Sequence, residues 1–185
     1  CPVNLLPIPG KKLEKAVFNQ LCKYLEENKL IHPNHHGGRK GHSTTTALVQ
    51  MYNTWIEQME EGKLVGIMMI DKSAAFDLCD HFLLVQKLKL LGVGEASACW
   101  MESYLSQRSQ STLVDGYLSA ALPLPPCLVI QGGIGSGLLY LVYTNDLPDI
   151  IHSHITDYQQ PEGYCQENGT MVNFVDDSTV YFSHS

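Results

Sequence analysis

Apolar residues recur along the chain with more than one period, and each period predicts a different kind of element. In "KKLEKAVFNQLCKYLEENK", Leu13, Val17, Leu21 and Leu25, flanked by Phe18 and Tyr24, follow the spacing of a helix with one buried face. "HPNHHGGRKGHS" breaks that rhythm, and its Pro and Gly content predicts a loop. Ser43 or Thr44 can cap a second helix running to about Glu61, with Leu48, Met51, Tyr52 and Trp55 on one side. "LVGIMMI", Leu64 to Ile70, is an uninterrupted apolar run ending at Asp71, which predicts a strand buried on both faces.

Two helical stretches follow, around Asp80 to Leu91 and Glu95 to Ser106, parted by Gly92 and Gly94. "QSTLVDGYLSAALPL" predicts a hairpin turning at Asp115-Gly116. "CLVIQGGIGSGLLYLVYTNDLP" is a short apolar run, a glycine cluster and a helix from about Ser136 to Asn145. From Asp149 to Thr170 the pattern predicts mainly loop, with Asn168-Gly169 as a turn. "VNFVDDSTVYF", Val172 to Phe182, then predicts a hairpin with Asp176 and Asp177 at its tip. Strands separated by helices, together with antiparallel hairpins, indicate an α+β or mixed α/β domain.

At 185 residues the chain suffices for one domain with a substantial core, or for part of a larger one. It begins on Cys1 and stops at Ser185 directly after a strand-like run, so both ends are expected to be cut from something longer. No stretch approaches the roughly 18 to 20 apolar residues of a membrane span, and the start lacks the features of a signal peptide. An intracellular setting, cytoplasm or nucleus, without a membrane partner is the expectation. The six cysteines are scattered with no C-x-x-C pair, against a zinc module or a disulfide framework. They read as reduced, mostly buried small hydrophobes.

The net charge of -7 conceals an asymmetry. All twelve Lys and Arg lie at or before Arg108, beside eleven acids, whereas eight acids and no Lys or Arg follow. A surface for a polyanion can come only from the first part, above all Lys11 to Lys40, with seven bases against three acids. The later acids call for another explanation, such as cations.

Asp71 ends an apolar strand, and Asp176 and Asp177 sit at a hairpin tip. If those strands are neighbours, three carboxylates converge. Such a cluster repels itself unless divalent cations compensate it. Oxygen ligands suit Mg²⁺, and two such ions roughly 3.5 to 4 Å apart can clamp an in-line phosphoryl displacement. Nucleotidyl transfer is the reaction that uses such a site. On residue type alone other readings stay open: an Asp pair in a loop is commonly a solvated turn, and paired acids also serve glycoside hydrolysis. Neither carboxylate has the Thr/Ser-Gly context of an aspartic-protease dyad.

Five segments in order, "VNLLPIPGKKLEKAVFNQL", "HPNHHGGRKGHSTTTAL", "MIDKSAAFDLCDH", "IQGGIGSGLLYLVYTNDLP" and "FVDDSTVYF", give the chain a resemblance. It resembles the reverse transcriptase domain of non-LTR retrotransposons, especially jockey-like and chicken-repeat-like elements. The resemblance implies an α+β right-hand polymerase, with an antiparallel palm sheet backed by helices. Residues 1–62 would form the fingers region and the start of a palm helix. Residues 63–185 would form the palm with interleaved fingers segments, truncated after the Asp-Asp hairpin and missing the thumb. The implied activity is RNA-directed DNA synthesis from a primer 3′-OH, with RNA template, DNA primer and dNTPs as partners and two Mg²⁺ ions, or Mn²⁺, as cofactors.

Carried over by position, the resemblance makes Asp71 and Asp176 the main metal ligands, with Asp177 supporting and the carbonyl of Lys72 facing a metal. Phe76 would exclude a 2′-hydroxyl, or serve as an ordinary core residue. Gln131 and Gly132 would meet the incoming nucleotide and template base, and Arg39 and Lys40 the triphosphate or template. His35, His36 and His42, and the grouping of Cys165 with His152 and His154, fit no zinc spacing and are expected in core or surface roles. Asn168-Gly169-Thr170 is a sequon without use in an intracellular protein. Asp77 and Asp80 are expected to cap the following helix.

The chain departs from its relatives at several places. Lys72 stands where Leu or a similar residue is usual, Ala74 where Lys is usual, and Gly38 where Phe precedes the Arg. The family's P-Q-G-S reads Ile130-Gln131-Gly132-Gly133, and its L-G-P reads Gly135-Ser136-Gly137. Added glycines are expected to loosen the nucleotide-facing loop. The changes at Ile130, Gly133 and Gly137 motivate an alternative: a degenerate, catalytically silent remnant acting at most as an interaction module.

Overall fold

The computed structural model describes residues 4–157 and 168–184. In chain order the elements are α1 (Ile8–Glu27), α2 (Thr44–Glu60), β1 (Leu64–Asp71), a 3₁₀ turn (Ala75–Leu78), α3 (His81–Leu90) and α4 (Glu95–Leu105). Four two-residue strands follow, β2 (Ser109–Gln110), β3 (Leu113–Val114), β4 (Tyr117–Leu118) and β5 (Leu122–Pro123). The chain continues through α5 (Ser136–Tyr143), α6 (Leu147–Asp157), β6 (Asn168–Phe174) and β7 (Asp177–His184). The fold is α+β, with antiparallel sheets. Two compact units form, each from separate stretches: one runs to Phe18 and adds Ala74–Tyr143, and the other holds Asn19–Ser73 and the chain from Thr144 onward.

The unit that contains the sheet has strand order β1-β7-β6, antiparallel throughout. Cross-strand partners share a face, so Val172, Thr179 and Tyr181 project to one side and Met171, Val180 and Phe182 to the other. Helix α2 covers the first side: Ala47, Met51 and Trp55 pack on Val172 and Tyr181, with the Trp55 ring edge-on to Tyr181 at 5.9 Å. Ser43 caps α2 through a reciprocal capping box with Thr46. The buried stripe falls on Ala47 and Met51, while Leu48 and Tyr52, expected inside, are exposed.

Strand β1 also departs from expectation. It is not buried on both faces: Leu64, Ile67, Met68 and Met69 are exposed. Among the described residues the strand pairs only with β7, so it is the edge of this sheet, and an apolar run alone cannot distinguish an edge from a centre. Gly66 is required here, because a Cβ would lie 2.4 Å from the Phe182 ring packed over it. The expected loop after Asp149 is helical through Asp157, and Asn168-Gly169 opens β6 instead of forming a turn. The rest of that expected loop, 158–167, lies outside the described residues.

In the other unit α3 packs against α4 and α5 around Leu84, Val85, Leu88, Ala98, Met101 and Leu139. Asp80 caps α3, its carboxylate accepting the Leu83 N–H at 2.8 Å. The hairpin turns at Asp115-Gly116, both at positive φ (49° and 83°), as a type I′ turn requires. In α1 the buried positions of this unit are Glu14 and Phe18, with Leu13 exposed against expectation, while Leu25, in the part of the helix that belongs to the sheet-containing unit, is fully buried as expected. Among the described cysteines only Cys79 is buried; Cys22 and Cys127 are half-buried and Cys99 is exposed. Cys1 and Cys165 lie outside the described residues.

Candidate active site

Strands β1 and β7 are neighbours, and their register sets Asp71 directly opposite Asp177. Partners of an antiparallel pair have Cβ atoms roughly 4.5–5.5 Å apart on one face. That face is covered by α2 at one end and open at the other, where Met69, Asp71 and Asp177 are all exposed. Asp176 occupies the bend itself, since β6 ends at Phe174 and β7 begins at Asp177. The register thus brings two carboxylates onto one face and a third into the turn beside them.

The bend is strained. Val175 has φ of +56°, left-handed backbone that a β-branched residue rarely adopts. Gly37 packs against it so closely that a Cβ there would lie 2.5 Å from the Val175 amide nitrogen. The loop carrying Gly37 is tied down from several directions. His36 N–H donates to the Asn173 carbonyl, and Asn173 N–H to that of Asn34, both at 2.9 Å. The His36 ring bridges Thr46 Oγ1 (3.0 Å) and Gln50 Oε1 (2.8 Å).

Arg39 completes this anchoring. Its guanidinium donates to both Glu26 oxygens (2.8 and 3.0 Å) and to the carbonyl of His35 (3.0 Å). The pairing holds the Glu26 carboxyl below its usual range. Arg39 therefore braces the loop, while the neighbouring Lys40 is exposed. Gly38 sits at φ +70°, which explains a glycine before Arg39 better than a bulky residue would.

Behind the bend runs a chain of buried polar groups. Lys72 Nζ donates to Ser178 Oγ and, at 3.4 Å, to the Asp176 carbonyl. Ser178 donates to Asn173 Oδ1 at 2.6 Å, and Asn173 Nδ2 lies 3.3 Å from His35 Nε2, which meets the Thr144 carbonyl at 3.0 Å. His35, Asn173 and Ser178 are all buried. Burial pushes the His35 pKa down to about 4, so its ring is neutral at pH 7. Burial also lowers the Lys72 pKa, against the opposing pull of Asp176 and Asp177.

The remaining expected site residues lie in the other unit. Phe76 is half-buried, its ring 4.9 Å from that of Tyr140, and its carbonyl accepts the Val129 N–H. The Gln131 carbonyl accepts the Asn4 N–H at 2.9 Å, and Gly132 has φ of +100°. The glycine loop is not loose, contrary to expectation. Ser136 Oγ donates to the Ile130 carbonyl, and the Ile134 N–H donates to Glu14 Oε2 at 3.0 Å. Gly135 admits the Phe18 ring, which a Cβ would overlap at 2.2 Å. Glu14 also accepts the Tyr104 hydroxyl at 2.7 Å.

Sequence reasoning missed Glu14, Gly37, Asn173 and Ser178. Asn173, a polar residue between apolar neighbours at an inward strand position, carried a readable signal; Glu14 looked like any acid on a helix surface. Among the described residues no three His, Cys, Asp or Glu side chains are grouped so as to hold a metal ion. The donor set fits a different arrangement. Two carboxylates on one open face suit Mg²⁺, which takes one or two protein carboxylates and leaves other positions to water and phosphate. Nor does any described helix have the length and apolarity to cross a membrane.

Asp71 and Asp177 thus face each other on an antiparallel sheet backed by a helix, with Asp176 in the strained bend beside them. The chain belongs to the reverse transcriptase (RNA-dependent DNA polymerase) family, whose model matches residues 2–185. It is 29% identical over 179 residues to the RNA-directed DNA polymerase from mobile element jockey of Drosophila melanogaster, covering 97% of this chain and 18% of that protein. It is 24% identical over 188 residues to the probable RNA-directed DNA polymerase from transposon BS of the same species, covering 98% and 19%. The chain thus spans about a fifth of these relatives. Apo telomerase from Candida tropicalis shares the fold, with a TM-score of 0.59 and 11% identity over 93% of this chain and 34% of that one. Candida albicans telomerase, solved with a fragment of telomeric RNA, has a TM-score of 0.53 and 12% identity over 89% and 30%.

Proposed function

We propose that the chain is the fingers and palm portion of an RNA-directed DNA polymerase of a non-LTR retroelement, acting inside the cell. In this reading residues 1–62 supply fingers and the start of a palm helix, and residues 63–185 the palm with interleaved fingers segments. RNA template, DNA primer and dNTPs are the partners. The observation that carries the reading is the register that sets Asp71 opposite Asp177, with Asp176 in the adjoining bend.

Asp71, Asp176 and Asp177, with the Lys72 carbonyl, would hold two Mg²⁺ ions, for which Mn²⁺ can substitute. Held there, the ions would supply charge neutralisation and alignment of the attacking and leaving oxygens. Phe76, backed by the Tyr140 ring, is a rigid wall suited to exclude a 2′-hydroxyl. Gln131 and Gly132, on a loop pinned by Glu14 and Ser136, present backbone and amide groups to a nucleotide. Lys40 is the exposed base for a phosphate, and Arg39 would reach one only by giving up Glu26.

The test is primer extension on an RNA template with Mg²⁺, using the intact protein. The reading expects dNTP incorporation that Asp71→Asn and Asp176→Asn each abolish. Incorporation unaffected by either substitution would refute it. The silent-remnant reading draws on the substitutions at Ile130, Gly133 and Gly137, and it predicts no metal-dependent complex with primer-template and dNTP in a calorimetric titration.

A further inference from the structure

Lys72 follows directly on Asp71, and its side chain places an amine behind the bend that carries Asp176 and Asp177. Strand alternation sends its side chain to the face opposite Asp71, so it approaches the bend from behind. There it is no solvated surface lysine. Its ammonium donates to Ser178 Oγ and to the Asp176 carbonyl, and it is coupled electrostatically to both Asp176 and Asp177. The anchor is rigid: Ser178 is 2% exposed and spends its own proton on Asn173, which is fully buried. No Lys or Arg follows Arg108, so the acid pair has no base on its own part of the chain.

We propose that Lys72 is a built-in counter-cation for the Asp176-Asp177 bend, which holds the acids in place before a divalent ion arrives and weakens the grip on that ion afterwards. The proposal rests on the reading of Asp71, Asp176 and Asp177 as the metal site. Two like charges at a strained turn repel, and an ammonium behind them offsets that repulsion without metal. The same ammonium repels an incoming dication. A chain with Leu at this position would have a less stable bend when metal-free and a tighter metal site.

Mn²⁺ binding followed by electron paramagnetic resonance on the intact protein tests this, counting only the Mn²⁺ that Asp71→Asn removes. Lys72→Leu should bind that ion about tenfold more tightly, the scale expected for a charge of +1 acting on a dication at a part-exposed site. Lys72→Arg should keep the parental affinity, and Lys72→Leu should melt at a lower temperature in EDTA. Unchanged or weaker binding by a folded Lys72→Leu, with Asp71→Asn still removing the ion, would overturn the counter-cation and leave the metal site standing. If Lys72→Leu does not fold, Lys72→Met replaces it with the same expectation. Should Asp71→Asn remove no Mn²⁺ at all, the metal-site reading falls and this proposal with it.

Discussion

Replacing Gly37 by Ala puts one methyl group against the bend that carries Asp176. The new Cβ would lie 2.5 Å from the Val175 amide nitrogen and 2.6 Å from its Cγ2. Ordinary contacts of this kind are about 3.5 Å, so Val175 must move by about 1 Å. It has little freedom to do so, because its φ of +56° is already unfavourable and the loop on the other side is tied to Asn173, Gln50 and Glu26. Overpacking of this sort costs about 1–3 kcal/mol. For a chain of this size that lowers the melting temperature by about 3 to 10 °C. A displacement of about 1 Å at the acids should also slow nucleotide incorporation about a hundredfold. Thermal unfolding followed by circular dichroism and single-turnover incorporation are the two readouts. Gly10→Ala serves as the control, since its Cβ meets nothing within 4 Å and lies in α1, where Ala gains about 0.5–1 kcal/mol. A Gly37→Ala protein that melts and incorporates nucleotide like its parent would refute this account of the bend.

Four further outcomes follow from polar groups inside the fold. Glu14→Leu strips partners from the Ile134 N–H and the Tyr104 hydroxyl and should cost about 2–4 kcal/mol in chemical denaturation. His35 has a folded pKa near 4 against about 6.5 unfolded, so its contribution is complete above pH 6.5 and is lost as pH falls towards 4. Stability should decline by roughly 3 kcal/mol across that window, and His35→Asn should flatten the slope. The Glu26 contribution is lost separately, at lower pH, because its folded pKa is depressed below the usual carboxylate range. Arg39→Lys cannot reproduce the two-pronged contact with Glu26 and should cost about 2 kcal/mol in the same assay, with Glu26→Gln costing a similar amount.

Much of the fold was legible because local signals were strong. Ser43 caps α2, Asp80 caps α3, and Asp115-Gly116 turns the hairpin, each through chemistry confined to a few neighbouring residues. The acids were legible as neighbours because Asp71 ends one apolar run and Asp176-Asp177 interrupts another. What was hidden depends on distant partners. The β1 run looked like a central strand, yet among the described residues it has one neighbour, and pairing at a sheet edge leaves no mark in the composition of the strand itself. Leu25, Met51 and Trp55 lie on the inner side as expected, but Glu14 displaces Leu13 because it finds a hydroxyl and an amide to satisfy it, and Ala47 displaces Leu48 because it meets Val172 and Tyr181. Added glycines suggested a loose loop, but Gly135 makes room for Phe18, a contact that spans more than a hundred residues of sequence.

The central claim is that the end of β1 and the β6-β7 bend share a divalent ion, and iron-mediated backbone cleavage measures this directly. Fe²⁺ replacing Mg²⁺ in the intact protein, with ascorbate and peroxide, cuts the chain next to the bound ion. The account predicts cuts around both Asp71 and Asp176-Asp177, suppressed together by excess Mg²⁺ and by Asp71→Asn. Cleavage at only one of the two segments, or cuts at the bend that survive Asp71→Asn, would contradict it.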